Sequence, residues 1–130
     1  VPKWGEKIAK FPLRVNVGRR HRTVVDDRDG LRSETRFKLL ERFQAGALVE
    51  ASPVTGRTHQ VRVHASAMGH PLMGDILYGA PKTSLIARPA LHAFSLSITH
   101  PETGKRMAFQ ADYPEDFHES LWKLKSVGAV

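Results

Sequence analysis

One run constrains this chain more than any other: Thr55-Gly56-Arg57-Thr58-His59-Gln60-Val61-Arg62-Val63-His64, continuing to Gly69-His70-Pro71-Leu72-Met73-Gly74-Asp75-Ile76-Leu77-Tyr78-Gly79. It predicts a short helix over Arg57 to Met68. Thr58 or Thr55 can cap its start through a side-chain oxygen. Gly69 can take the left-handed conformation that closes a helix, and Pro71 prevents its continuation. On the helix wheel Val61, Ala65 and Met68 share a side suited to a core. Thr58, His59, Arg62 and Ser66 fall on another. A histidine and an arginine are therefore presented together, next to a glycine-rich turn where backbone can approach a ligand closely.

The rest of the chain alternates around this helix. Phe11 to Val17 has the period of a short extended segment, Thr23 to Val25 that of a short strand, and Asp26-Asp27-Arg28-Asp29-Gly30 reads as a turn. From Ser33 to Phe43, Thr35, Phe37 and Leu39 fall on one face and Glu34, Arg36 and Lys38 on the other, as in a half-buried strand. Gln44-Ala45-Gly46 turns it into a return strand over Ala47 to Val54. A second hairpin is expected after Pro89, with His92, Phe94, Leu96 and Ile98 on one face. Pro101-Glu102-Thr103-Gly104 forms its turn, and Met107, Phe109 and Ala111 lie on the way back. Pro114 suits a first helical turn, and Phe117, Leu121 and Leu124 repeat at helical spacing, so a terminal helix packs on the sheet. The fold class is α+β, a mixed, mostly antiparallel sheet with two short helices.

Charge says most about partners. Twenty Lys and Arg residues against 13 acidic ones give a net charge of +7 and a pI near 10.1. A domain this basic suits a polyanion, of which nucleic acid is the commonest. The densest run is Gly18-Arg19-Arg20-His21-Arg22. It reads either as a solvated loop or as a phosphate contact made by arginine forks. No apolar run is long enough to span a bilayer, and no membrane partner is expected. The chain has no cysteine, which excludes disulfides and thiolate metal sites. Asp26, Asp27 and Asp29 lack the spacing of a calcium loop. His59 and His64, five positions apart, share no helix face, so no metal site is expected. His64 reads as a hydrogen-bonded core histidine, His70 and Asp75 as residues fixing a turn, and Tyr78 as packing.

The run Gly56 to His64, followed by Gly69-His70-Pro71-Leu72 and Gly74-Asp75-Ile76-Leu77-Tyr78-Gly79, resembles the signature of the RluA-type pseudouridine synthases. Arg36-Phe37-Lys38-Leu39-Leu40-Glu41-Arg42-Phe43, Leu91-His92-Ala93 and Ile98-Thr99-His100-Pro101 are similar to the family's flanking segments. The resemblance runs from about Phe11 to Phe117. It implies that residues 11–125 are the C-terminal portion of a pseudouridine synthase catalytic domain. Residues 1–10 would then be a loop left from an upstream segment, and residues 126–130 a flexible tail. It further implies a cytoplasmic RNA isomerase that converts uridine to pseudouridine in ribosomal or transfer RNA without a cofactor. The family's catalytic aspartate lies in a His-Arg-Leu-Asp-x-x-Thr-Ser-Gly motif, and that motif does not occur in this chain; nor does a counterpart of the family's upstream tyrosine. The first residue is Val1 rather than methionine, which agrees with an excised segment.

Such an enzyme needs a carboxylate in a dry pocket, and that carboxylate needs a cation to stay ionised. By resemblance, Arg62 supplies the salt bridge to an aspartate outside this chain, and Val63 lines the uracil pocket. Arg57, His59 and Gln60 are candidates for substrate RNA, and Arg19, Arg20 and Arg22 for the RNA backbone. The isolated chain is expected to be inactive. Its expected partners are RNA, the missing N-terminal half of the domain and, through an exposed sheet, a second copy. The alternative is a non-catalytic RNA-binding module that retains the fold.

Overall fold

The computed structural model describes residues 1–93, 95–99, 102–103 and 105–126. The strands are β1 (Glu6–Ala9), β2 (Leu13–Val17), β3 (Arg22–Val25), β4 (Thr35–Arg42), β5 (Ala47–Pro53), β6 (Ser95–Thr99) and β7 (Arg106–Gln110). Helix α1 (Gln60–Ala67) follows β5, and α2 (Glu115–Ser126) follows β7. A short 3-10 turn, Ile76–Tyr78, comes between α1 and β6. Among the described residues all strand pairs are antiparallel: a three-stranded sheet in the order β1-β4-β5, and the two hairpins β2-β3 and β6-β7. The α+β expectation holds.

The period-two run becomes β4, with Thr35 and Phe37 buried and Arg36 and Lys38 exposed. Its pairing with β5 shifts register between Leu39 and Glu41, a bulge that bends the strand. Residues 1–10 are not the expected loop, because Glu6–Ala9 pairs with β4 from Glu6↔Lys38 to Ala9↔Thr35. Three of its four residues are exposed, so an edge strand here carries no alternation to read. The second hairpin forms as expected, from Ser95↔Gln110 to Thr99↔Arg106. Phe94, Pro101 and Gly104, which belonged to that expectation, lie outside the described residues, as does the expected tail beyond Ser126.

Helix α1 starts later than expected, at Gln60, and neither Thr58 nor Thr55 caps it. His59 precedes it with φ 54° and ψ 20°, and no side-chain cap bond is made there. Gly69 does take the left-handed conformation, with φ 85°. The helix lies between two apolar clusters. Ala65 packs with Ala9 and Phe37, joined by Val61 and Met68 from the expected core side. Val63 packs with Leu13 and Tyr78. A third cluster joins Phe43, fully buried, to Leu121 and Leu124 of α2. Burying a side chain of that size contributes about 1.5–3 kcal/mol, which is how α2 is held to the end of β4. Among the described residues, no helix is long and apolar enough to cross a membrane.

Candidate active site

The segment before α1 is organised by Gln60. Its side chain is 3% exposed. Its amide nitrogen donates to the Glu34 carbonyl at 2.8 Å and to Thr35 Oγ1 at 2.9 Å. Its amide oxygen accepts from Thr55 Oγ1 at 2.7 Å and from the Arg57 backbone at 3.1 Å. With these four bonds Gln60 clips the helix start to β4, and no donor or acceptor is left for RNA. A directional relay continues from it. Thr35 accepts from Gln60, so its hydroxyl hydrogen goes to His64 Nδ1 at 2.8 Å, and His64 Nε2 donates to the Phe11 carbonyl at 2.8 Å. His64 is fully buried, and burial pushes its pKa below the usual histidine value. It is the core histidine read from the sequence.

The other face of α1 meets the turn at Asp75. Arg62 Nε and Nη2 donate to the two carboxylate oxygens of Asp75 at 2.9 and 2.8 Å, a bidentate pair. Asp75 is 1% exposed and the Arg62 side chain 18%. The hydrogen bonds to Asp75 raise the pKa of the guanidinium further, against the effect of burial. This corrects two expectations. Asp75 does not fix its turn by local side-chain bonds, and Arg62 is not waiting for an acid from elsewhere with both edges open. Its fork is already engaged inside the chain. What stays open is Nη1, which makes no hydrogen bond among the described residues.

Tyr78 lies beneath this pair. The Arg62 Cζ sits 4.9 Å from the ring centroid, and the Arg22 Cζ of β3 sits 5.4 Å from the same centroid. Tyr78 is 4% exposed. Its hydroxyl accepts from the Thr23 backbone at 3.1 Å and lies 2.7 Å from His59 Nδ1. In the tautomer in which the phenolic hydrogen goes to Nδ1, the hydrogen of neutral His59 lies on Nε2. Burial, with the nearby Arg62 charge, holds the His59 pKa below its usual value and so favours that neutral form. The left-handed backbone at His59 costs about 1–2 kcal/mol for a non-glycine residue; here it turns the imidazole edge-on to the Tyr78 ring. Ser66 adds a bond to the Tyr78 carbonyl at 2.6 Å.

The candidate residues therefore separate. Arg62, His59 and Arg22 come together on Tyr78. Gln60 is a buried clip. Val63, 5% exposed, faces the core rather than an open pocket. Arg57 lies before the helix, with Nε and Nη2 on the Arg32 carbonyl at 3.3 and 3.0 Å. Arg19 and Arg20 are exposed on the β2–β3 turn. Asp26 is held by the backbone of Asp29 and Arg28 and by Arg14 at 2.9 Å, which keeps its pKa low. No group of three or more His, Asp or Glu residues suited to a metal occurs among the described residues. Sequence pattern alone missed Asp75 and Tyr78 as site residues. The only hint was that both stand in the same turn that follows the Arg62 helix.

Residues 5–67 match the model of a family described as RNA pseudouridylate synthase. The chain is 45% identical over 102 residues to ribosomal large subunit pseudouridine synthase D of Neisseria meningitidis, covering 70% of this chain and 27% of that protein. It is 40% identical over 131 residues to ribosomal large subunit pseudouridine synthase C of Yersinia pestis, covering 95% of this chain and 41% of that protein. The solved structure of human RNA pseudouridylate synthase domain containing 1 superposes with a TM-score of 0.73 at 30% identity, over 99% of this chain and 55% of that one. The chain thus spans well under half the length of these two curated relatives.

Proposed function

We propose that this chain is the C-terminal part of an RluA-type RNA pseudouridine synthase, and that Arg62 steadies the carboxylate that attacks the nucleotide. The reaction breaks the bond between the ribose and N1 of uracil and joins the same ribose carbon to C5. A proton leaves C5 and N1 ends protonated, so no oxidant, reductant or cofactor is needed. The protein must hold a flipped base and keep one acid ionised in a dry site. The observation that carries this reading is the state of Arg62. Asp75 and Tyr78 fix one edge and one face of its guanidinium, and Nη1 is left for a second carboxylate. The His-Arg-Leu-Asp motif would bring that carboxylate from residues outside this chain, so the chain alone is inactive. The substrate is ribosomal or transfer RNA, and the compartment is the cytoplasm. Exposed Ile8 on the edge strand β1, and Leu40 on β4, support a covering partner: the other part of the domain or a second copy.

A non-catalytic RNA-binding module has one observation in its favour, since Asp75 already neutralises Arg62 within the chain. Nucleoside mass spectrometry of RNA incubated with each protein separates the two. The isolated chain is expected to form no pseudouridine, and a longer protein that joins it to the His-Arg-Leu-Asp motif is expected to form it. Pseudouridine from the isolated chain would overturn the inactivity. None from the longer protein would leave only the binding module.

A further inference from the structure

The strongest uncommitted feature is the way two donors from different elements are held on Tyr78. Arg22 comes from β3 and His59 from the start of α1. Among the described residues, the Arg22 guanidinium makes no ion pair or hydrogen bond, and it rests on the Tyr78 ring face. Three nearby arginines are committed: Arg14 to Asp26, Arg36 to Glu34, Arg57 to the Arg32 carbonyl. His59 spends Nδ1 on the Tyr78 hydroxyl, so Nε2 is the ring nitrogen left over, a donor in the tautomer in which Nδ1 accepts. The two elements are also tied together directly. Thr23, next to Arg22, donates its backbone N–H to Tyr78 and its hydroxyl to the Thr58 carbonyl at 2.8 Å, next to His59.

We propose that Arg22 and His59 form a seat for one phosphodiester of a polyribonucleotide, and that Tyr78 is the residue that positions them. An arginine stacked on a ring keeps its planar donor edge free and loses little freedom when it grips a phosphate. The imidazole held at the hydroxyl of the same tyrosine supplies the second donor. The arrangement lies against Arg62, so a phosphate held here would register the strand beside the guanidinium proposed to meet the reacting nucleotide. Arg19 and Arg20, on the exposed turn, contribute charge but no fixed geometry. The inference deepens the proposed function and rests on it for the identity of the polymer.

The test is RNA binding by the chain itself, read by fluorescence anisotropy with a short fluorescein-labelled oligouridylate over a series of salt concentrations. Arg22→Gln, Arg19→Gln and Arg20→Gln remove the same charge from exposed positions, so folding is not at risk. Arg22→Gln is expected to weaken binding roughly tenfold, as loss of a charge-assisted bond does, and to lower the salt slope by about 0.7. Arg19→Gln and Arg20→Gln are expected to have smaller effects. His59→Phe removes the second donor and is expected to weaken binding in the Arg22→Gln background less than in the wild type, because both serve one phosphate. Equal effects of the three arginine substitutions, or no RNA binding by the chain, would overturn the seat. If the seat behaves as expected while the longer protein forms no pseudouridine, the proposed enzyme fails and the seat stands. If the longer protein forms pseudouridine while the three arginines act equally, the seat fails and the enzyme stands.

Discussion

Asp75→Asn isolates the contribution of the buried ion pair. The substitution keeps the shape and one carbonyl oxygen, so one of the two bonds from Arg62 survives. The other position now presents an amide N–H to a guanidinium. A charge-assisted hydrogen bond contributes about 1.5–3 kcal/mol, and breaking a buried pair from one side costs about 3–5 kcal/mol. Arg62 is 18% exposed and regains some hydration, and the surviving bond offsets part of the rest. The expected loss is about 2 kcal/mol. For a domain of this size that lowers Tm by roughly 6–10 °C. The internal control is Asp116→Asn. Asp116 takes a bidentate grip from Arg88 at 2.8 and 3.0 Å, nearly the geometry of Arg62 and Asp75, but its side chain is 48% exposed. Water replaces that pair readily, so the effect is expected to be far smaller. Both variants are compared by thermal and urea unfolding followed by circular dichroism. Equal losses for Asp75→Asn and Asp116→Asn would refute the claim that burial makes the Arg62 pair structural.

Three further outcomes are expected. Gln60→Ala removes four hydrogen bonds at a buried position, although the Glu34 carbonyl keeps the Val54 backbone N–H; unfolding free energy should fall by about 3 kcal/mol, read from the urea midpoint. Stability should fall as pH drops below about 6.5, the ordinary histidine value, because His59 and His64 have folded pKa values beneath it. In that window the unfolded chain binds more protons than the folded one, so neutral-histidine stabilisation is complete above the ordinary value and is lost as pH falls through the folded values; a urea midpoint flat across this range would contradict it. Gly30→Ala would place a Cβ 2.8 Å from the Pro12 carbonyl carbon and 2.9 Å from the Leu13 nitrogen, both backbone atoms that cannot swing aside. A loss of about 1–3 kcal/mol is expected by chemical denaturation.

Local pattern revealed the frame of this molecule, and tertiary contact decided its site. β4, β5, the second hairpin and α2 could be read because period-two or helical spacing coincides with turn residues. β1 could not, because Glu6, Lys7 and Ile8 are all exposed and its pairing is made by backbone. The helix wheel rightly grouped His59, Arg62 and Ser66. It could not show that Asp75, thirteen positions beyond Arg62, would fold back onto the guanidinium. Nor could it show that Gln60, one residue from His59, turns inward while His59 turns to Tyr78. That difference comes from the left-handed backbone at His59, for which a histidine gives little warning. Arg22 could be assigned to a basic run but not to the ring of Tyr78, far along the chain.

The most direct measurement is the pseudouridine content of total RNA from cells lacking the protein that contains this sequence, complemented with wild type or Arg62→Lys. The wild type is expected to restore a pseudouridine that deletion removes. Lysine keeps the charge but cannot grip Asp75 through two N–H groups while offering a third to another carboxylate, so Arg62→Lys is expected not to restore it. Full restoration by Arg62→Lys, or no pseudouridine lost on deletion, would contradict the role given to Arg62.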